Sequence, residues 1–323
     1  MDSIIPVIAR WPKDVFRRLY QYFNSIKYAS QNPLYLGDKV LWSVSCTALV
    51  LGMGTFLFLA VFIVREAYPA LAQGEGLIAF LFLDSWSPLA TPASFGILHA
   101  WIGSLSIAFI CLSISIPIAF GLAVFIAEIA PDLMRTVLQP CLDLLAGIPA
   151  VVYGFVGYVT LVPWCERIFG MATGESIVVA AIMLAVMALP FITSTSVEAF
   201  RAVPRDLKEA VLAQGVTRWY LIRRVVVAKA SSGMFAGVAL GLARAIGETL
   251  AVTMLAGNSI AVPRSLLSRG QPIPSLIITE LGEAGVGSPK YHALFASGLL
   301  LMLVIVILNS LVWKLRKRFV YEG

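Results

Sequence analysis

Residues 231–257 read SSGMFAGVALGLARAIGETLAVTMLAG, an apolar stretch that carries a guanidinium, Arg244, and a carboxylate, Glu248, near its middle. A charge at the centre of a membrane helix costs about 2.5–3.5 kcal/mol on insertion scales, so a chain that keeps two of them there is expected to use them. On a continuous helix, residues four apart share one face and lie about 6 Å apart along the axis. Two readings stand for the pair. It lines a path for a charged solute, or it is a salt bridge that locks this helix to its neighbours.

The setting for both is a membrane. Of the 323 residues, 59% are hydrophobic and 13% charged, against about a quarter charged in soluble domains. Apolar runs long enough to cross a hydrocarbon core of about 30 Å, which takes roughly 20 helical residues, lie near 41–64, 98–127, 142–164, 176–197, 231–257 and 293–313. None alternates as a membrane-spanning β-strand does, and backbone in lipid has to be satisfied within the segment. The predicted fold is therefore all-α and polytopic, with six transmembrane helices over 41–313, an N-terminal segment over 1–40 and a basic tail over 314–323. The first apolar run starts some forty residues in and is too long for a cleavable signal, so it is expected to remain as a span.

Lys and Arg set the orientation. The segment before 41, the loops 128–141 and 198–230 and the end after 313 carry 18 basic residues, against 5 on the opposite side. Both termini are thus expected in the cytoplasm, and the net charge of +6 reads as topology and contact with anionic lipid, not as nucleic-acid binding. Cys46, Cys111, Cys141 and Cys165 have no metal-like spacing, and neither a disulfide nor a metal site is expected. Val15, Phe16, Leu19, Tyr20, Phe23 and Ile26 recur at helical spacing among basic residues, the pattern of an amphipathic helix lying on the membrane surface.

Irregularities follow. Pro117, Pro149 and Pro190 are expected to interrupt helices two, three and four, and Gly147, Gly154 and Gly157 to let a neighbouring backbone approach helix three. His99 and Asn309 lie near span ends, where local partners are expected. The outer segments 65–97 and 258–292 are rich in Pro and Gly and read as loops with short helices. The cytoplasmic segment 198–230 is too patterned for a plain connector. A short helical stretch holding Glu209 and Ala210 ends near Gly215, and a second runs from Arg218 through Val227. Glycine between two helical stretches reads as a left-handed cap, so the segment is predicted to be a projecting helical hairpin.

This hairpin resembles the EAA motif of ABC importer permeases, which reads Glu-Ala-Ala, three residues, Gly, nine residues, Ile-x-Leu-Pro. Glu209, Ala210 and Gly215 match it in identity and spacing. Val211 stands for the third position, Val225 and Val227 for Ile and Leu, and Ala228 for the closing proline. Two further stretches, DLLAGIPAVVYG at 143–154 and RAIGETLAVTMLAGN at 244–258, together with the loop from Trp86 and Pro88 to Gly96, resemble the PstC-type permease of the phosphate importer. Asp143 stands where that family usually carries Glu. The sister PstA-type permease shares the Arg-Ala-Ile-Gly-Glu-Thr core, but Leu250, Ala251 and Val252 and the ending Gly257, Asn258 favour the first type.

The resemblance implies a type I ABC importer permease fold in a bacterial inner membrane, working with a PstA-type sister permease, an ATPase subunit dimer and a soluble phosphate-binding protein. It also implies that Glu209, Ala210 and Gly215 couple the ATPase to the spans. No Walker A loop is present in the sequence, so ATP is expected on the partner subunit, with no cofactor of the chain's own and no catalytic role for it. Phosphate also suits Arg244 and Glu248 as residues. A guanidinium fork binds two oxygens of a tetrahedral anion, and phosphate near neutral pH still carries a proton to give to a carboxylate, whereas sulfate does not. The alternatives are a permease for another oxyanion, a secondary transporter or channel, which needs no docking hairpin, and a membrane scaffold, which needs no buried charge pair.

Overall fold

The computed structural model describes residues 36–73, 76–88, 90 and 93–321. The amphipathic helix expected over Val15 to Ile26 lies outside them. The chain divides into two compact units, Met1–Phe62 and Ile63–Gly323. In the first unit the described residues belong to helix α1 (Leu36–Gln73), whose Val50, Phe56 and Phe58 are exposed, an apolar surface suited to hydrocarbon.

In the second unit, α2 (Gly76–Phe82) leads into a small antiparallel hairpin of β1 (Trp86–Ser87) and β2 (Ser94–Phe95) that places Trp86 opposite Phe95. Then come α3 (Leu98–Val124), α4 (Asp132–Gly147), α5 (Ala150–Phe169), α6 (Ile177–Arg201), α7 (Arg205–Leu212), α8 (Arg218–Tyr220), α9 (Val227–Gly247), α10 (Leu250–Leu255), α11 (Ile273–Leu281) and α12 (Pro289–Tyr321). Wider π-helical turns at Phe125–Ile129 and Leu221–Val226 extend α3 and join α8 to α9. Among the described residues five helices are long and apolar enough to cross a membrane, over Val40–Ala72, Leu98–Ile129, Ile177–Arg201, Arg218–Gly247 and Pro289–Lys314; the pair α4 and α5, bent by 93°, makes a sixth if taken as one span. The all-α, polytopic expectation holds.

Two expected helices are discontinuous. The run 142–164 is cut between Gly147 and Ala150, where Ile148 and Pro149 are extended, because proline cannot supply the amide that would continue the helix and disfavours helical geometry in the residue before it. The run 231–257 ends its helix at Gly247 and restarts it at Leu250. By contrast, α3 passes through Pro117 and α6 through Pro190 without ending. These two prolines do not interrupt their helices, since packing within a bundle outweighs one missing hydrogen bond.

Helix α6 is the centre of the unit. Leu184, Met187, Ile192 and Phe200 on it are fully buried, and the main apolar cluster joins it to Ile107 of α3, Val162 of α5 and Leu255 of α10. A second cluster at one end unites Phe80, Trp86, Ile97, Ile273 and Leu294. A third, at the hairpin end, unites Ile126, Phe200, Leu221 and Val226.

Helix α9 lies close against α6 along a row of glycines four residues apart. A Cβ at Gly237 would come within 3.1 Å of the Ile192 carbonyl oxygen, one at Gly241 within 2.6 Å of the Ile192 side chain, and one at Gly233 would collide with Ala199. Small residues at such spacing let two backbones approach where lipid provides no hydrophobic drive between helices. Gly237→Leu is therefore expected to cost about 1–3 kcal/mol by overpacking and to lower the unfolding midpoint of the detergent-solubilised protein by several degrees. Gly121→Leu, whose Cβ meets nothing within 4 Å, should leave the midpoint where it is, and equal midpoints for both variants would contradict the packing described.

Candidate functional site

The limbs that follow the two breaks pack against each other. Beyond the first, α5 carries Gly154 and Gly157; beyond the second, α10 packs into the space they leave. A Cβ at Gly154 would meet Met254 Sδ at 2.9 Å and Ala251 Cα at 3.0 Å, and one at Gly157 would meet Leu255 at 3.0 Å. Gly147, expected to share this role, has nothing within 4 Å of a Cβ and acts at the bend instead. Each break frees backbone carbonyls at a helix end, and side chains take them up. The Tyr153 hydroxyl donates to the Leu145 carbonyl at 2.9 Å across the bend, and the Thr249 hydroxyl donates to the Gly247 carbonyl at 3.4 Å at the end of α9.

Arg244 sits in the last turn of α9, where a cation complements the negative end of the helix dipole. Glu248 lies just past that end with extended geometry (φ −74°, ψ 127°). The departure is in ψ, which redirects the chain after Glu248 and leaves the pair one turn apart at the end of α9. They meet, with Arg244 Nη2 3.8 Å from Glu248 Oε2, the arginine side chain 35% exposed and the glutamate 9%. The Arg244 guanidinium also lies 5.4 Å over the ring of Phe191 on α6, a cation–π contact, while its Nε is buried without a hydrogen-bond partner. At 3.8 Å the carboxylate is an electrostatic neighbour, beyond hydrogen-bond length. The guanidinium is therefore flanked on two sides, by the Phe191 ring and the Glu248 carboxylate.

The ending that follows α10 is equally built. Gly257 (φ +81°) and Asn258 (φ +49°) are both left-handed, a turn that glycine makes without strain and asparagine tolerates. Asn258 donates to the Thr253 carbonyl at 2.8 Å and accepts from the Ser275 hydroxyl at 2.5 Å. Arg269 donates to the Gly257 carbonyl at 2.6 Å and pairs with Glu175 at 3.2 Å. The Ser176 amide donates to the Leu255 carbonyl at 3.0 Å, which seats the end of α10 on the start of α6. His99, expected to find a local partner, is fully buried with both ring nitrogens unpartnered.

The hairpin forms as predicted. Glu209 and Ala210 are exposed on α7, Gly215 turns the chain with φ +78°, and the Thr217 hydroxyl accepts from the Tyr220 amide to start α8. Sequence reasoning missed how it is attached. Glu128, in the wide turn that ends α3, receives Lys208 Nζ of α7 on its carboxylate at 2.5 Å, and its backbone carbonyl accepts from Arg218 Nη2 of α8 at 3.0 Å. The signal was an acid directly after the apolar run 98–127 and a lysine directly before Glu209. Phe191, one residue beyond Pro190, carried no signal of its own.

The model of the "Binding-protein-dependent transport system inner membrane component" family matches residues 119–320. Among curated proteins, the "Probable ABC transporter permease protein YqgH" of Bacillus subtilis (strain 168) is 37% identical over 77% of this chain and 80% of its own length. The "Phosphate transport system permease protein PstC" of Pasteurella multocida is 34% identical over 72% of this chain and 78% of its own; the protein of the same name from Haemophilus influenzae is 34% identical over 72% and 80%. Among solved structures, a chain of a bacterial alginate ABC transporter, in complex with an alginate pentasaccharide-bound periplasmic protein, superposes with a TM-score of 0.62 at 16% identity, over 90% of this chain and 99% of that one. At that identity the likeness speaks for the fold alone.

A Cβ at Gly215 would meet nothing within 4 Å, so only its backbone conformation restrains substitution. Gly215→Val should strain the turn by about 1–2 kcal/mol or more, whereas Gly215→Asn, which tolerates left-handed geometry, should be close to neutral. Thermal unfolding of the two variants reads the difference directly; equal midpoints would show that the turn is relaxed by other means.

Proposed function

The chain belongs to the binding-protein-dependent transport system inner membrane component family, and within it to the PstC-type permeases; on that footing we propose that it forms half of the translocation path of an ATP-driven importer of inorganic phosphate. It is a multi-pass inner-membrane transport subunit of the ABC class. The observation that carries the phosphate reading is Arg244, a guanidinium inside a broken span with an unpartnered Nε, a cation–π support and a carboxylate 3.8 Å away.

In this mechanism the guanidinium offers charge-assisted hydrogen bonds to two oxygens of the tetrahedral anion. Glu248 accepts a hydrogen bond from the hydroxyl that phosphate retains near neutral pH, and its negative charge keeps the arginine from holding the anion too firmly, as conduction requires. A solute without that proton faces an unpaired carboxylate and is disfavoured. ATP is bound and hydrolysed by a partner ATPase dimer that docks on the exposed face of Glu209 and Ala210, with Gly215 setting the angle of the hairpin. A PstA-type sister permease completes the path, a soluble phosphate-binding protein delivers the anion to the outer loops, and both termini face the cytoplasm. Exposure of the docking hairpin favours this arrangement over a secondary transporter or channel.

Two substitutions test the path. In proteoliposomes holding the assembled complex, Arg244→Gln should reduce phosphate uptake about a hundredfold, the worth of a strong charge-assisted contact, with the subunits still co-purifying. Normal uptake would remove Arg244 from the path. Glu248→Gln should lower both KM and the maximal rate and narrow the preference for phosphate over sulfate. An unchanged phosphate-to-sulfate ratio would count against the hydrogen-bond-accepting role, and arsenate in the same assay separates phosphate from its near isostere. Substitution of Glu209 should leave ATP hydrolysis running without matching uptake.

A further inference from the structure

Helix α3 is separated in sequence from the hairpin by some eighty residues, and the described polar contacts between them converge on one residue. Lys208 of α7 reaches the Glu128 carboxylate at 2.5 Å and also donates to the Phe200 carbonyl at 3.3 Å, which ties the same ammonium to the end of α6. Arg218 of α8 donates to the Glu128 carbonyl at 3.0 Å. Glu128 itself is only 8% exposed. Both limbs of the hairpin thus grip the last turn of α3, one by side chain and one by backbone.

For α3 alone the residue is badly placed. A carboxylate at a helix C-terminus opposes the helix dipole, and a buried carboxylate needs a partner to be tolerated. The turn is also of the wide form, with the Ala130 amide bonded to the Phe125 carbonyl at 2.7 Å, so the Glu128 carbonyl is among those the helix leaves free. Each unmet need of this turn is answered from the hairpin. The apolar cluster beneath, which includes Ile126, Val203, Leu221 and Leu207, supplies adhesion without direction; the charge pair supplies direction.

Beyond the grip, α3 leads to the pathway residues. Ala108 of α3 packs with Leu242 and Ile246 of α9, two residues to either side of Arg244. The hairpin is covalently continuous with α9, but it reaches α3 through space. Building on the chain as an ATP-driven permease, we infer that Glu128 is a positioning residue for coupling: the joint through which displacement of the α7–α8 hairpin is transmitted to α3, and from α3 to the α9 turn that carries Arg244.

The test uses the complete complex in proteoliposomes. Glu128→Gln, which keeps volume and removes charge, should lower phosphate moved per ATP hydrolysed about tenfold, within the usual range of coupling between sites, and the exchange Glu128→Lys with Lys208→Glu should recover most of it. Lys208→Gln removes the same pair from the other side and serves if Glu128→Gln does not assemble. An unchanged ratio in the assembled single variants, or a loss that the exchange does not recover, overturns the inference in favour of a purely structural Glu128. A second readout needs no phosphate. With the four native cysteines replaced and spin labels at Gly121 on α3 and Ala213 beside α7, the label separation should stay the same with and without bound ATP in the parent complex and diverge in Glu128→Gln. A separation that already changes in the parent overturns the joint. Absence of phosphate uptake by the parent complex tells instead against the phosphate reading, while the labels still decide the joint.

Discussion

Inside hydrocarbon an unpaired amide or carbonyl has no water to turn to, and each one left open costs several kcal/mol. A membrane chain can break a helix only where protein covers the break or where polar solvent reaches it. Among the described residues two are broken, at Gly147–Pro149 and Gly247–Thr249, and the far limbs α5 and α10 are set against each other through Gly154 and Gly157. Tyr153 and Thr249 then bond to carbonyls beside the two breaks. Arg244 and Glu248 stand at the second break, one in the last turn of α9 and one at its end, where they meet as a pair four residues apart.

Much of this was legible in the residues. Apolar run length pointed to the five helices long enough to cross and to the bent pair that makes a sixth if taken as one span, since insertion depends on composition over about 20 residues and hardly on partners; it misplaced the span at 231–257, which lies over Arg218–Gly247. Gly215 between two helical stretches announced the hairpin, because a left-handed turn is a local property of the backbone. The two stretches singled out by resemblance, 143–154 and 244–258, turn out to span the two bends, and Gly257 with Asn258 supplies the left-handed pair that ends α10.

What was not legible is tertiary. Proline was expected to act alike at 117, 149 and 190, yet only Pro149 ends a helix; the other two lie within helices held by neighbours on several sides. The four-residue spacing of Arg244 and Glu248 put the pair together, and they do meet; the break directly after them, with α10 docked on α5, is what periodicity does not report. Glu128 looked like the first polar residue of a loop. Its meaning came only when Lys208 and Arg218 were brought to it from some eighty and ninety residues away.

The glycine row on α9 has a mechanical consequence. With Gly233, Gly237 and Gly241 facing Ala199 and Ile192 where a Cβ would collide, α9 and α6 pack closely along this row. Phe191 and Arg244, one from each helix, are thereby mounted on a common strut. On the proposed path a solute would meet an arginine with an aromatic ring of the neighbouring helix behind it.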